Sequence, residues 1–271
     1  MKRYICLLML ALPVFSVQAE VPPDLRIAVV VPLSSAIGEV AQEALNGAAL
    51  GVREGLSRLK SWQNQHGNKK INVKLDFWDD KANPTTAEMV AKNIVNRRQY
   101  HAVVGGINSG TAIPVAKIFE QAGLINVAFG ASNPALTLVG HQWAFRMSMV
   151  DDQLARSTYV ALVHRLRDTP ALFVHDDTTY GGLTAKGFAS AHRSLTDQLG
   201  ELHNLGFSGD TNLSAARNIE GSEAVMYVGG MDLFAINVVR RLRKDVQWTI
   251  VGGDGICSAP MAKETARLGM R

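Results

Sequence analysis

Short β-rich runs alternate with amphipathic helical stretches along almost the whole chain, and that alternation limits the fold more than any other feature. Arg26-Ile27-Ala28-Val29-Val30-Val31 is apolar on successive residues, the pattern of a strand buried on both faces in a parallel sheet. Ala41, Ala44, Leu45, Ala48, Val52, Leu56 and Leu59 then recur at helical spacing. Ile71 to Trp78 reads as the next strand, with Val73, Leu75 and Phe77 alternating. Asn83-Pro84 supplies an N-cap followed by proline at the first helical position, ahead of an apolar stripe of Ala87, Val90, Ala91, Ile94 and Val95. A third strand is expected over His101 to Val104, a helix over Thr111 to Ala122 ending at Gly123, and a fourth strand over Leu124 to Ala128.

The same grammar restarts after Arg146. Asp152 opens a helix, Ala171 to His175 is a strand, and a helix follows from about Gly182 to Leu195. Strands are expected near Glu201 to Leu205, over Glu223 to Val228 and over Trp248 to Val251. Asp232 caps a helix whose end carries Arg240, Arg241, Arg243 and Lys244, cations suited to the negative end of the helix dipole. Repeated β–α units demand right-handed crossovers and parallel sheets, and two series imply two sheets. The expected fold is therefore α/β, with two Rossmann-like lobes spanning residues 24–145 and 146–271 and a joint at 143–151.

Residues 1–19 stand apart from this scheme. Lys2 and Arg3 precede an apolar run from Ile5 to Phe15, and Val17-Gln18-Ala19 forms a small-x-small cleavage site. This is the pattern of a secretory signal peptide, too short in its apolar part for a membrane span, and it predicts a periplasmic location. Cys6 lies in that run and Cys257 is the other cysteine, so neither an intramolecular disulfide nor a cysteine-based metal site is expected after cleavage. The chain has 28 basic and 24 acidic residues, and two of the basic ones belong to the leader. So small an excess argues against nucleic acid as a partner.

In open parallel sheets, ligands bind beyond the carboxyl ends of the strands, where loops lead into helix N-termini. That rule selects Gly105-Gly106-Ile107-Asn108-Ser109-Gly110-Thr111, whose helix N–H groups suit an anion. Ser109 there is equally readable as a simple helix cap. Phe129-Gly130-Ala131-Ser132-Asn133-Pro134 offers small residues and free N–H groups, or is merely a turn. In the second half, His175-Asp176-Asp177, Tyr180-Gly181-Gly182, Gly229-Gly230-Met231-Asp232 and Gly252-Gly253-Asp254-Gly255 follow strand ends. Asp254 could pair with a ligand ammonium or stand as a solvated loop carboxylate.

Taken in order, these loops resemble the periplasmic leucine/isoleucine/valine-binding protein family, from about Arg26 to about Met270. The resemblance is carried by Val31-Pro32-Leu33-Ser34 with Asn46-Gly47, by Asp79-Asp80 with Asn83-Pro84, by Asn108-Ser109-Gly110-Thr111 with Pro114, and by Val174-His175-Asp176-Asp177 with Tyr180-Gly181. It implies a type I periplasmic binding fold in which a ligand carboxylate meets Ser109, Gly130 and Ser132, an ammonium meets Ser132 and Asp254, and Tyr180 closes the second lobe over the ligand. Asp254 stands where the family often has glutamate, and Val40 and Met231 stand where branched-chain binders can carry aromatic walls. The general amino-acid grip is thus implied, while leucine-like selectivity is not. The family's chain crosses between lobes three times, and Arg271 comes before the second crossing, so an incomplete second lobe and incomplete crossovers are expected.

The function implied is capture of an amino acid or amino-acid-like ligand between two lobes for ABC-type import, with a membrane permease as partner and no cofactor. A ligand sensor of the same fold, or a shortened member that has lost binding, are the alternatives. An enzyme is not expected, because Gly-x-Ser-x-Gly, His-Glu-x-x-His and phosphate-loop motifs are missing from the sequence. The histidines are scattered and not spaced as metal ligands.

Overall fold

The structure, a computed structural model, describes residues 24–270 apart from 36, 66–70, 139, 167, 197–200 and 207–212. The expected leader, residues 1–19, lies outside the described residues. Two parallel sheets follow one another along the chain. The first has the order β2-β1-β3-β4-β5, built from β1 (Asp24–Val31), β2 (Asn72–Asp79), β3 (Ala102–Gly105), β4 (Ile125–Ala128) and β5 (Ala144–Arg146). The second has the order β7-β6-β8-β9, from β6 (Ala171–His175), β7 (Leu202–Asn204), β8 (Glu223–Gly229) and β9 (Gln247–Gly252). Helices α1 (Gly38–Gln65), α2 (Pro84–Arg97) and α3 (Ser109–Gln121) accompany the first sheet. Helices α4 (Asp151–Leu166), α5 (Thr179–Thr196), α6 (Ser214–Arg217), α7 (Asp232–Val239) and α8 (Ala259–Arg267) accompany the second.

The both-face burial expected of the first strand is found where β1 runs between β2 and β3, with Val29, Val30 and Val31 buried. Each such side chain contributes about 1.5–3 kcal/mol by leaving water. On one side of that sheet, Ala87, Val90, Ala91 and Ile94 of α2 meet Val115 and Phe119 of α3. The stripe read from the sequence is therefore the helix face that covers the sheet. In the second sheet, Phe173 stacks on Tyr227 with centroids 4.9 Å apart. Tyr159 of α4 packs on the same ring, and its hydroxyl lies 2.8 Å from Nδ1 of buried His192 in α5.

Element edges differ from expectation where packing, not pattern, sets them. Helix α1 begins at Gly38 rather than at the first apolar position, and α3 begins at Ser109 rather than Thr111. Helix α7 stops at Val239, so Arg240 is its C-cap and the basic cluster lies beyond its last turn. Two of those cations pair with carboxylates: Arg240 with Glu264, and Arg243 with Asp245. Asp151, not Asp152, is the first residue of α4. Strand β5 was hidden in the expected joint, and it carries the first sheet through Arg146, one residue past the expected edge. Asn83 does cap α2, its side chain accepting from the Thr86 N–H at 3.0 Å.

Candidate functional site

Because all pairings are parallel, the carboxyl ends of the strands in each sheet share one side, and the loops there lead into helix N-termini. The first of these is the turn from β3 into α3. Asn108 is the N-cap, but its side chain makes no capping bond. Ser109 is therefore a first-turn residue and not the cap. Among the described hydrogen bonds, none uses the N–H groups of Ser109 or Gly110. These are two of the orphan donors every helix start presents, and they favour an anion. The Ser109 hydroxyl is buried and accepts from the Asn133 N–H at 3.3 Å, which leaves its own proton to donate.

The next loop, after β4, departs from the expectation of free N–H groups. Gly130 and Ala131 both donate to the Gly106 carbonyl, at 3.3 and 2.9 Å. Gly130 faces Ile107 so closely that a Cβ would lie 2.9 Å from the Ile107 Cα, which makes it a packing position between the two loops. Among the described hydrogen bonds none uses the Ser132 N–H, and none is made by its buried hydroxyl. The segment that leaves the first sheet ties this loop down. Arg146 Nη1 donates to the Asn133 carbonyl at 2.8 Å, Ser148 Oγ to that of Ala131 at 2.7 Å, and the Asp151 N–H to that of Ser132 at 3.1 Å.

The second lobe contributes the turn from β6 into α5 and the turn after β9. Asp176 is buried; its Oδ1 accepts from the Thr178 N–H and hydroxyl at 3.0 and 2.6 Å, shaping the first of these turns. His175 accepts from the Asp177 N–H through Nδ1 at 3.2 Å, a structural use of the ring. Tyr180 donates its hydroxyl to Asp254 Oδ1 at 2.7 Å and accepts the Gly255 N–H at 3.0 Å. Burial first, and then the Asp254 charge, holds the Tyr180 phenol well above its usual range, so it remains a donor. Gly253 beside Asp254 permits this contact, because a Cβ there would sit 2.6 Å from the Tyr180 hydroxyl oxygen.

The two lobes come together at these helix starts. A Cβ on Gly110, second residue of α3, would lie 3.7 Å from Oγ1 of Thr179, first residue of α5. One side thus presents free N–H groups and a hydroxyl, and the other presents a carboxylate held by tyrosine. Val40 is exposed and Met231 is the N-cap of α7, half-buried. The sequence reading missed Asp151. It is 1% exposed, neither carboxyl oxygen has a hydrogen-bond partner, and burial pushes its pKa up to about 6. Asp254 and Asp152 push in the same direction, against the nearby Ser132 hydroxyl and Arg146. In the sequence, Asp151-Asp152 looked like ordinary acids in a helix's first turn, and nothing separated one from the other.

The family model described as periplasmic binding protein matches residues 24–241. An amino acid binding protein of Pseudomonas aeruginosa is 31% identical over 196 residues, covering 70% of this chain and 51% of the relative. A leucine-specific-binding protein of Salmonella typhimurium is 26% identical over 255 residues, covering 90% of this chain and 65% of the relative. The chain thus spans between half and two-thirds of the length of these relatives. Among solved structures, a leucine binding protein from Thermotoga maritima superposes with a TM-score of 0.73 at 19% identity, covering 90% of this chain and 67% of that one. A branched-chain amino acid transporter substrate binding protein from Streptococcus pneumoniae, in complex with isoleucine, gives 0.68 at 22%, covering 89% and 67%.

Proposed function

The chain belongs to the periplasmic binding protein family, and from that premise we propose that it captures a zwitterionic amino acid between its lobes for delivery to an ABC-type membrane permease. The observation that carries this reading is the presence of opposite grips on the two lobes, whose helix starts approach at Gly110 and Thr179. The α3 start offers two unused N–H groups and the Ser109 hydroxyl to a carboxylate, and the second lobe offers Asp254, oriented by Tyr180, to an ammonium. Ser132, whose buried hydroxyl has no hydrogen-bond partner among the described residues, could serve either group. Gly130 supports the loop by close packing, and its side-chain-free surface lets the Ser109 turn approach. Once water is excluded, each charge of the ligand exchanges its hydration for charge-assisted hydrogen bonds. The relatives named for amino acids support the ligand class, and the family match supports the reading of a periplasmic location and a permease partner.

The test is a thermal-shift screen of the protein without residues 1–19 against the L-amino acids. A true ligand at a hundredfold excess over Kd stabilises the folded form by about 2.7 kcal/mol. For a chain of this size that is a rise of roughly 5–11 °C in Tm. Ser109→Ala and Asp254→Ala should each abolish it. A cooperative melt that no amino acid shifts, or a shift that survives both substitutions, refutes the reading.

A further inference from the structure

A grip made of backbone N–H groups is only as good as their placement, which must hold to within about 0.5 Å. The first turn of α3 lacks the side-chain cap that usually fixes a helix start, since Asn108 makes no capping bond. What steadies it lies behind it, in the turn from β2 into α2. Asp80 follows β2 and is 2% exposed. Its Oδ1 accepts from the Ala82 N–H at 3.0 Å, and its own N–H bonds the Val31 carbonyl at 3.3 Å. Lys81 and Ala82 between them take φ of 55° and 53°, a conformation that residues with side chains keep only where neighbours enforce it. Asp79 adds two ties, accepting the Lys81 N–H at 2.9 Å and the Ser34 hydroxyl at 2.6 Å. The acid pair thereby locks this turn to the end of β1 and to the loop after it.

From that anchored turn Asp80 reaches α3, where it hydrogen-bonds the side chain of Thr111, the third residue of the helix. Thr111 is 2% exposed, and its hydroxyl also donates to the Asn108 carbonyl at 3.1 Å. A hydroxyl has one proton and two lone pairs, so it can link two partners. As a carboxylic acid Asp80 donates to Thr111 Oγ1 while Thr111 donates on to Asn108; as a carboxylate it shares the Thr111 proton with that carbonyl. Burial pushes the Asp80 carboxyl up, the bonds from Ala82 and Thr111 pull it down, and the Asp79 charge raises it again. Asp80, Thr111 and Asn126 line a cavity of about 10 Å³, room for at most one water, so solvent is a poor substitute for the bond.

We propose that Asp80 and Thr111 are positioning residues for the ligand's carboxylate: joined behind the first turn of α3, they hold the Ser109 and Gly110 N–H groups where the carboxylate needs them. The inference rests on the amino-acid reading above. Both side chains are buried and act through the backbone of residues 108–111. Removing the Thr111 hydroxyl frees the turn from its anchor and leaves the Asn108 carbonyl, Ser109 and Gly110 to settle elsewhere. The cost falls on the ligand's carboxylate and spares its ammonium, which the second lobe receives.

The experiment is calorimetric titration of the protein without residues 1–19 with L-leucine, L-isoleucine, L-valine and the other neutral L-amino acids, followed by the variants with whichever binds tightest. Thr111→Val exchanges the hydroxyl for a methyl of similar size and should weaken that amino acid about fivefold, the worth of one ordinary hydrogen bond. Thr111→Ser restores the hydroxyl and should bind within roughly twofold of wild type. Asp80→Asn keeps an acceptor for the Ala82 N–H and offers an amide N–H to Thr111 Oγ1, so it should bind no more weakly than wild type. The carboxamide of the same amino acid has no carboxylate to place, and its Kd should move less than about twofold in Thr111→Val. A buttress that served only the fold would lower Tm in Thr111→Val and leave the Kd of the folded protein unchanged, and that result overturns the proposal. So does a loss that Thr111→Ser fails to restore, that Asp80→Asn reproduces, or that the carboxamide shares in full. Each of these leaves the amino-acid reading standing. Where Thr111→Val does not melt cooperatively, Thr111→Ala removes the hydroxyl with a good helix former and is held to the same outcomes. No binding of any amino acid by wild type overturns the amino-acid reading, and this proposal with it.

Discussion

Replacing Asp151 by asparagine should stabilise the ligand-free protein, although the substitution removes a charged residue from a helix N-terminus where acids normally help. The expectation comes from the isolation of the side chain, which is 1% exposed and has both oxygens unpartnered. Its carboxyl is raised from 3.8 to about 6. That difference of about two pH units corresponds to a cost of about 3 kcal/mol when the group is ionised. The sign follows from linkage. A folded-state pKa above the unfolded value means that the penalty is fully present above about pH 6 and is relieved as pH falls towards 3.8. An amide keeps a polar group in the same place, which offsets part of the gain, so about 2 kcal/mol is expected near pH 7.5. For a chain this long that is a rise of roughly 4–8 °C in Tm. Urea unfolding of both proteins across a pH series measures it, and the advantage of Asp151→Asn should shrink steadily towards pH 4. A variant that is less stable near pH 7.5, or whose advantage is the same at every pH, would show that the carboxylate is solvated or paired after all.

Tyr180→Phe removes the donor that orients Asp254 and leaves the Gly255 N–H without its acceptor. Because Asp254 is exposed, the loss is modest, about 1 kcal/mol or roughly fivefold in Kd for the best amino acid of the screen; an unchanged Kd would remove Tyr180 from the site. Glu264 behaves oppositely to Asp151. Hydrogen bonds from Arg240 and then Arg267 hold its carboxyl down to about 2, so its contribution is present above 4.5 and lost as pH falls from there through 2. Glu264→Gln should destabilise the protein near neutral pH and flatten the acid limb of its stability profile, and an acid limb parallel to wild type in urea melts would refute the link.

Pattern made the strands and most helices legible because burial of one face or both leaves a periodic trace. Ala171–His175 and the Asn83-Pro84 start are found where the sequence placed them. The small elements left weaker traces. Strand β5 is three residues long and sits at a sheet edge with Phe145 exposed, so its apolar run is too short to mark a strand. Helix α8 had usable signals in Ser258, which caps it, and Pro260 in its first turn, but its apolar face is brief. In the site, residue type was legible and use was not. The Gly130 N–H looked free, whereas it donates to the Gly106 carbonyl; the bond from the Tyr180 hydroxyl to Asp254 left no trace in the sequence.

The sequence by itself determined the two parallel sheets, the side of each on which the loops gather, and the kinds of groups those loops carry. These depend on hydrophobic period and turn chemistry, which act over a few neighbouring residues. Only the tertiary structure decided which N–H groups are spent within the loops, which carboxylate is held by tyrosine, and which is buried alone. Ser132, Asp151, Tyr180 and Asp254 are brought into one electrostatic neighbourhood from four separate segments. Whether a carboxyl keeps its proton there depends on the water and donors that distant segments remove or supply, and local sequence holds no record of either.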